Sequence, residues 1–175
     1  NNLKNLNFFK NVKTNVIDGK NVNSKIINYE IEEKPTGEIT AGAGVGTDGG
    51  TFFFGVSENN YLGKGIEVNA ETTVSADSLK GNFSLTNPNF NNTDKSVYIN
   101  IQAEEIDKLT DFGYKTNKTG LGMGTSFEYL KDFKLGLSAS SFIEKIETDA
   151  TASASQKKQT GNYWDTFLKF NFDYD

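Results

Sequence analysis

The chain has 175 residues, neither cysteine nor histidine, and a formal net charge of -5. The missing residue types exclude a disulfide framework, a thiolate metal site, and the Ser-His-Asp and Cys-His arrangements of nucleophilic catalysis. Acidic residues outnumber basic ones by 23 to 18, which argues against nucleic acid as the main partner.

Apolar residues are few but large. The hydrophobic fraction is only 35%, yet the chain contains 14 Phe and 7 Tyr, and disordered chains avoid aromatic residues. No stretch approaches the roughly 18 consecutive apolar residues of a transmembrane helix. A transmembrane β-barrel alternates lipid-facing and lumen-facing residues, so a modest hydrophobic fraction is compatible with one.

Residues 1–36 predict a short helix followed by two strands. Leu3, Leu6 and Phe8 or Phe9 fall at helical spacing. The strands are predicted by residues that alternate on either side of an Asp18-Gly19 turn: Val12, Thr14 and Val16, then Ile27, Tyr29 and Ile31. We expect half of a small α/β module, cut on its N-terminal side.

From Glu38 onward the sequence predicts eight strands separated by clusters of Gly, Asn, Asp and Ser. In each strand, apolar residues alternate with polar or small ones. The exceptions are Phe167 and a slip of phase near Phe142 and Ile143. The predicted strands are Ile39–Gly46, Phe52–Ser57, Ile66–Ser75, Leu79–Thr86, Val97–Glu104, Gly120–Phe127, Phe133–Ser140 and Trp164–Tyr174.

The connections between these strands differ in length. Those after the first and third strands are predicted to be tight turns, and those after the fifth and seventh to be long and polar. The last of these, Thr148 to Asn162, is expected to be mobile. Outer-membrane barrels combine short periplasmic turns with longer outer loops, and the connections fit that contrast only loosely.

A soluble sandwich would show the same alternation, because one face of each sheet is core and the other is solvent. Three features favour a membrane barrel: strand length, a polar face rich in Gly and Ser, and aromatic residues near strand ends. Four of these aromatic residues are predicted membrane-interface anchors: Tyr129, Phe133, Trp164 and Tyr174.

Five sequence stretches occur in the order found in BamA-type outer-membrane assembly proteins, which have POTRA domains followed by a 16-strand barrel. The chain is therefore identified as resembling that family. In chain order, the stretches resemble the last POTRA helix, the junction to the barrel, the glycine-rich first strand, the second strand with its turn, and the turn after strand four: Leu3–Val12, Glu32–Ile39, Ala41–Gly50, Val56–Gly65 and Leu85–Phe90.

The resemblance implies a mainly all-β fold, the N-terminal half of a transmembrane antiparallel β-barrel of about eight strands, preceded by an α/β POTRA remnant. Residues 1–36 would be the C-terminal part of the last POTRA domain, and residues 37–175 the first eight barrel strands. Upstream POTRA domains and the second eight strands are missing, so we expect a fragment.

The implied function is non-enzymatic folding and insertion of β-barrel proteins into the bacterial outer membrane, without a cofactor. Implied partners are unfolded outer-membrane proteins, outer-membrane lipid, and accessory lipoproteins that bind through the POTRA region, which lies in the periplasm. Substrate strands would pair at the lateral gate, formed by the first barrel strand: Ile39, Thr40, Ala41, Gly42, Ala43, Gly44, Val45 and Gly46. Alternatives are a two-partner secretion or TamA-like translocation barrel, a passive porin-like channel, or a soluble ligand-binding barrel.

Two further patterns have weaker functional interpretations. Gly44–Gly49 matches the dinucleotide pattern G-x-G-x-x-G, but that fingerprint needs a following helix, and a strand is predicted there. Glu104, Glu105 and Asp107 could form an acid/base pair or a calcium site, or simply a solvated face. The glycines of the first strand either assist gating or provide curvature.

Overall fold

A computed structural model describes residues 8–21, 24–46 and 49–174. The chain divides into two compact units, Asn1–Gly37 and Glu38–Asp175. Within the described ranges, the helices are all too short or too polar to cross a membrane.

The first unit contains an antiparallel hairpin of β1, Phe9–Asp18, and β2, Lys25–Glu33. Its register places Thr14 opposite Tyr29, so the two predicted strands are confirmed. The preceding helix was predicted on residues that lie largely outside the described ranges. Its last residue, Phe9, belongs to β1 instead.

The second unit is one antiparallel sheet in which each strand pairs with its neighbour in sequence, in the spatial order β10-β9-β8-β7-β6-β5-β4-β3. Eight strands were predicted here, and the described residues of this unit form eight. Their bounds are Gly37–Gly46 for β3, Gly49–Tyr61 for β4, Ile66–Ser75 for β5, Ser78–Asn87 for β6, Lys95–Lys108 for β7, Tyr114–Leu130 for β8, Phe133–Thr148 for β9 and Gly161–Tyr174 for β10.

Strands β7, β8 and β9 are longer than the alternation of apolar residues predicted. Pairing continues past Glu104, and charged side chains of neighbouring strands face one another there. Lys115 Nζ lies 2.9 Å from Glu105 Oε1 and 3.0 Å from Asp107 Oδ2. The predicted long connection after the fifth barrel strand is therefore wrong: β7 and β8 are joined only by 109–113.

The connection between β9 and β10 is also more regular than predicted. It contains a short helix, Ala154–Lys158, that begins with a capping box. Ser153 Oγ accepts a hydrogen bond from Gln156 N at 3.2 Å, and Gln156 Oε1 accepts one from Ser153 N at 2.9 Å. These bonds satisfy backbone groups that the start of a helix leaves unpaired.

The second unit has two chemically distinct faces, because successive residues of a strand point to opposite sides of a sheet. The apolar face carries residues in register across the strands, for example Ile101 opposite both Phe83 and Leu121. The polar face carries Glu, Lys, Asn, Gln, Ser and Gly. Ala152, in a connection, is the one hydrophobic residue of the described ranges that is buried. A sheet with both faces open has no core of its own.

Candidate functional site: the free edge of the sheet

β3 is a terminal strand of the eight-stranded sheet. It pairs with β4 on one side, and no described strand pairs with its other side. All eight residues predicted as the substrate-binding edge, 39–46, lie in β3, so the structure brings them together along one edge. Ile39 and Val45 are 72% and 94% exposed. An unpaired edge presents main-chain N–H and C=O groups that another strand can use.

The two faces of β3 differ in side-chain content. Ile39, Ala41, Ala43 and Val45 alternate with Thr40, Gly42, Gly44 and Gly46. On the polar face only Glu38 and Thr40 carry side chains, both in the first half of the strand. Thr40 Oγ1 donates to the carbonyl oxygen of Gly55 at 3.5 Å. From Gly42 onward, the polar face of the edge strand is therefore bare backbone.

Phe53 of β4 fills part of that bare surface. A Cβ added at Gly42 would lie 2.2 Å from Cε1 and 2.5 Å from Cζ of Phe53, so the aromatic ring occupies the place of the missing side chain. Around Gly44 and Gly46, no atom of the described chain lies within 4 Å of an added Cβ. The edge glycines are therefore not equivalent, since only Gly42 is covered by a ring.

Phe53 was not singled out from the sequence. It is the middle of three consecutive phenylalanines, and the register places Phe52 opposite Val74 and Phe54 opposite Thr72 on the apolar face. Because a strand alternates, the middle phenylalanine must lie on the polar face, opposite Thr73. The run of three phenylalanines was the sequence signal that could have identified Phe53 as an aromatic residue on the polar face.

The apolar face is limited at both ends by charged or aromatic residues. At one end, the apolar residues of β7 stop at Ala103, and the next residue on the same face is Glu105, which pairs in register with Asn117. At the other end it reaches Lys95, whose ammonium lies 5.9 Å from the centroid of the Phe127 ring. Ten residues of strand rise about 33 Å, or roughly 25 Å along the normal at ~40° tilt, which matches the apolar band of outer-membrane barrels.

The four predicted interface anchors lie at both ends of this band. Tyr129, Phe133 and Tyr174 are near the 131–132 turn, and Phe133 pairs with Tyr174. Trp164 is at the opposite end of β10, 78% exposed, and its Nε1 donates to Ser141 Oγ. An interfacial anchor has an apolar ring in lipid and a hydrogen-bonded polar atom, and this role stays a prediction for the four residues.

The polar face carries ion pairs rather than an arrangement for acid/base catalysis. Lys80 Nζ lies 2.7 Å from Glu104 Oε1, and Lys118 Nζ lies 3.7 Å from Glu144 Oε2. Glu104 and Glu105 are adjacent on β7 and point to opposite faces, so they do not form a carboxylate pair. In the described part of the chain, no group of three or more Asp, Glu, His or Cys residues is arranged to hold a metal ion.

A concavity of about 440 Å³ opens on the polar face of β5–β9. Both Lys80 and Lys118 line it, together with Glu71, Glu104 and Gln102. Its walls carry charges of both signs, because acidic and basic side chains alternate along them. This composition suits a water-filled interior better than an apolar ligand pocket.

An antiparallel meander of eight long strands, with one apolar face bounded by aromatic residues and one polar face, defines the wall of a transmembrane β-barrel. The family model described as the Omp85 superfamily domain matches residues 60–175. The chain belongs to the Omp85 superfamily.

Two relatives extend the comparison. The outer membrane protein assembly factor BamA of Neorickettsia risticii (strain Illinois) is 29% identical over an alignment of 167 positions, which covers 90% of this chain and 21% of that protein. The crystal structure of BamA from Haemophilus ducreyi lacking POTRA domains 1–3 has a TM-score of 0.75 and 24% identity, over 98% of this chain and 35% of that one. The chain thus spans about a fifth of the curated relative and about a third of the solved structure, and the structural match supports the same barrel fold.

Proposed function

We propose that this chain is part of a non-enzymatic factor that folds and inserts β-barrel proteins into the bacterial outer membrane, and that incoming strands pair with the free edge of β3. The observation that carries the proposal is the terminal position of β3, with 39–46 in one row that pairs with β4 on one side and with no described strand on the other. Strand addition uses main-chain hydrogen bonds, so it accepts substrates of many sequences.

The side chains of β3 support this role. Gly44 and Gly46 have no described atom within 4 Å of an added Cβ, so this half of the edge adapts at low steric cost. The apolar face, with exposed Ile39 and Val45, lies toward lipid and would continue onto the lipid-facing side chains of an added strand.

The proposed organisation follows the family. Residues 1–36 are the end of the last POTRA domain, in the periplasm, and residues 37–175 are the first eight barrel strands. The partners are unfolded outer-membrane proteins and outer-membrane lipid, with accessory lipoproteins binding the POTRA region. Neither nucleic acid nor a cofactor is required. BamA is an assembly factor by name in Neorickettsia risticii, and the 29% identity supports the same role here.

Cysteine cross-linking to a stalled substrate tests the proposal. Single cysteines are placed at Thr40 and Gly44 in the whole protein, together with cysteines along the terminal strand of a substrate whose folding is arrested. Gly42 is avoided because Phe53 fills its side-chain position. The matched control is a cysteine at Asn82, which faces the same side of the sheet but lies in β6, paired on both sides.

Adducts at Thr40 and Gly44, with none at Asn82, are expected. Adducts absent from every β3 position would overturn the proposal. Adducts with a secreted, non-barrel passenger instead of a barrel strand would indicate a translocation barrel of the same superfamily.

A further inference from the structure

The edge strand β3 is rich in glycine, so few of its side chains can hold it on the sheet. Cross-strand side-chain pairs are the main source of sheet stability beyond the backbone ladder. On the polar face, β3 offers two side chains, Glu38 and Thr40, followed by three glycines. Glycine in a strand weakens it, because it has no side chain to pack and more backbone entropy to lose.

The contacts between β3 and β4 are complementary in size. Thr40 lies beside Gly55, where an added Cβ would be 2.7 Å from its Oγ1, and the ring of Phe53 lies over Gly42. In each pair, a side chain on one strand fills the space that a glycine leaves on the other. An aromatic ring across a glycine is a recognised way to restore stability and register to such a strand.

We propose that Phe53 is a positioning residue that holds the edge strand in place and in register, so that β3 presents a continuous template. This inference rests on the proposed function, in which β3 receives substrate strands. The ring covers Gly42 in the middle of β3, between Thr40 and the uncovered Gly44 and Gly46. Without it, the strand keeps its backbone ladder but loses its largest polar-face contact, and a strand without such contacts has a weakly specified register.

The test is hydrogen exchange of the whole protein in lipid vesicles, without substrate. F53A is expected to speed exchange of the β3 amides about two- to fivefold, the effect of losing one cross-strand pair. Exchange in β7 and β8, far along the sheet, should not change. F52A is the matched control, because Phe52 lies on the apolar face of the same strand. F53Y, which retains a ring, should preserve slow exchange.

A double-mutant cycle with Gly42 identifies the contact itself. G42A places a methyl group within 2.2 Å of the ring and forces the ring away, so it should speed exchange in β3 much as F53A does. Since both changes remove the same contact, G42A/F53A should be no worse than the more severe single variant. G44A, where no described atom is near, should leave β3 exchange as it is or slow it.

Different results would contradict the positioning role of Phe53 and the templating function of β3. If F53A leaves β3 exchange unchanged, or if it speeds exchange across the whole sheet, Phe53 does not position the edge strand. If F53A loosens β3 but the wild-type edge forms no substrate adducts, the positioning role stands and the templating function falls. If both hold, the adduct yield at Thr40 should be lower in F53A than in F52A.

Discussion

Phe142 and Phe167 lie edge to face on the polar side of the sheet, with ring centroids 6.0 Å apart and an interplanar angle of 66°. Gly120 lies beneath Phe142, and the Lys118 ammonium is 5.1 Å from the centroid of the Phe142 ring. Aromatic rings in an otherwise polar face are thus supported by each other, by a glycine and by a cation.

The first prediction concerns the space beneath Phe142. A Cβ at Gly120 would lie 2.3 Å from Cδ1 of that ring, so G120A should displace it and disturb the Phe167 contact. We expect a loss of about 0.5–1.5 kcal/mol in the free energy of unfolding, the usual contribution of an aromatic pair. Urea unfolding in lipid vesicles measures it.

G81A is the control for this substitution. Gly81 also lies in an interior strand, β6, but no described atom is within 4 Å of its added Cβ. The control should unfold at the same urea concentration as the wild type or at a slightly higher one, because alanine loses less backbone entropy than glycine in a strand. Equal losses in G120A and G81A would mean that backbone effects of alanine, rather than the displaced ring, cause the change.

The same residues show what the sequence could predict and what it could not. Alternation with a period of two located all eight strands of the second unit and assigned their faces. It did not predict the place of Phe53, and it marked Phe167 and the stretch near Phe142 only as exceptions. All three are aromatic residues on the polar face. Each of these rings fits on the polar face because of residues in neighbouring strands, such as Gly42 for Phe53 and Gly120 for Phe142.

Strand length was underestimated for a related reason. The apolar pattern ends near Ala103, but the backbone ladder continues to Lys108, and Lys115 pairs there with Glu105 and Asp107 on the adjacent strand. Hydrophobic periodicity marks the part of a strand that lies in the apolar band, whereas cross-strand ion pairs extend it into water. The edge residues 39–46 were predicted as a group from the family resemblance, which implies a lateral gate at the first barrel strand.

The second prediction concerns the connections at one end of the sheet. Gly113 has a φ of 73°, and a Cβ there would lie 2.4 Å from the backbone nitrogen of Ala152. G113A should therefore add a backbone clash to the cost of the left-handed conformation, and should separate 109–113 from 149–153. We expect faster proteolytic cleavage between Asp149 and Thr160.

G63A is the control that separates the steric clash at Ala152 from the cost of the left-handed backbone conformation. Gly63 has a similar φ of 69°, but no described atom lies within 4 Å of its added Cβ. Both variants share the left-handed penalty of about 1 kcal/mol, and only G113A should expose the 149–160 connection to protease. Equal cleavage in the two variants would contradict the packing of the two connections.

The third prediction is a pH effect in the connection after β9. Hydrogen bonds from the Thr151 hydroxyl and backbone amide, at 2.6 and 2.7 Å, keep the pKa of the Asp149 carboxyl below its ordinary value of 3.8. A depressed carboxyl pKa stabilises the fold above the unfolded value of 3.8, and this contribution is lost as the pH falls through the folded pKa.

Carbon-detected NMR titration of Asp149 measures that pKa directly. T151V removes the hydroxyl donor, the largest cause of the shift, and should move the pKa of Asp149 upward toward its ordinary value. The backbone hydrogen bond remains in T151V, so the return should be incomplete. An unchanged pKa in the variant would show that the hydroxyl does not bind the carboxylate in solution.

The fourth prediction tests whether the apolar face of β10 lies in lipid. Leu168 is near the middle of the band and Tyr174 at its end, 69% and 83% exposed. A charged side chain on the lipid-facing surface costs about 2–4 kcal/mol at the midplane and about 0–1 kcal/mol near the interface. L168R should therefore destabilise the folded protein in lipid vesicles far more than Y174R.

N171R provides the matched control on the opposite face of the same strand. Asn171 pairs in register with Gly136 on the polar face, where an arginine can extend into water. Its folding free energy should stay close to that of the wild type, because the charge never enters lipid. The expected loss of folding free energy is largest for L168R, smaller for Y174R and smallest for N171R. Equal costs for L168R and N171R would mean that both faces of β10 meet water, and the sheet would then not be the wall of a membrane barrel.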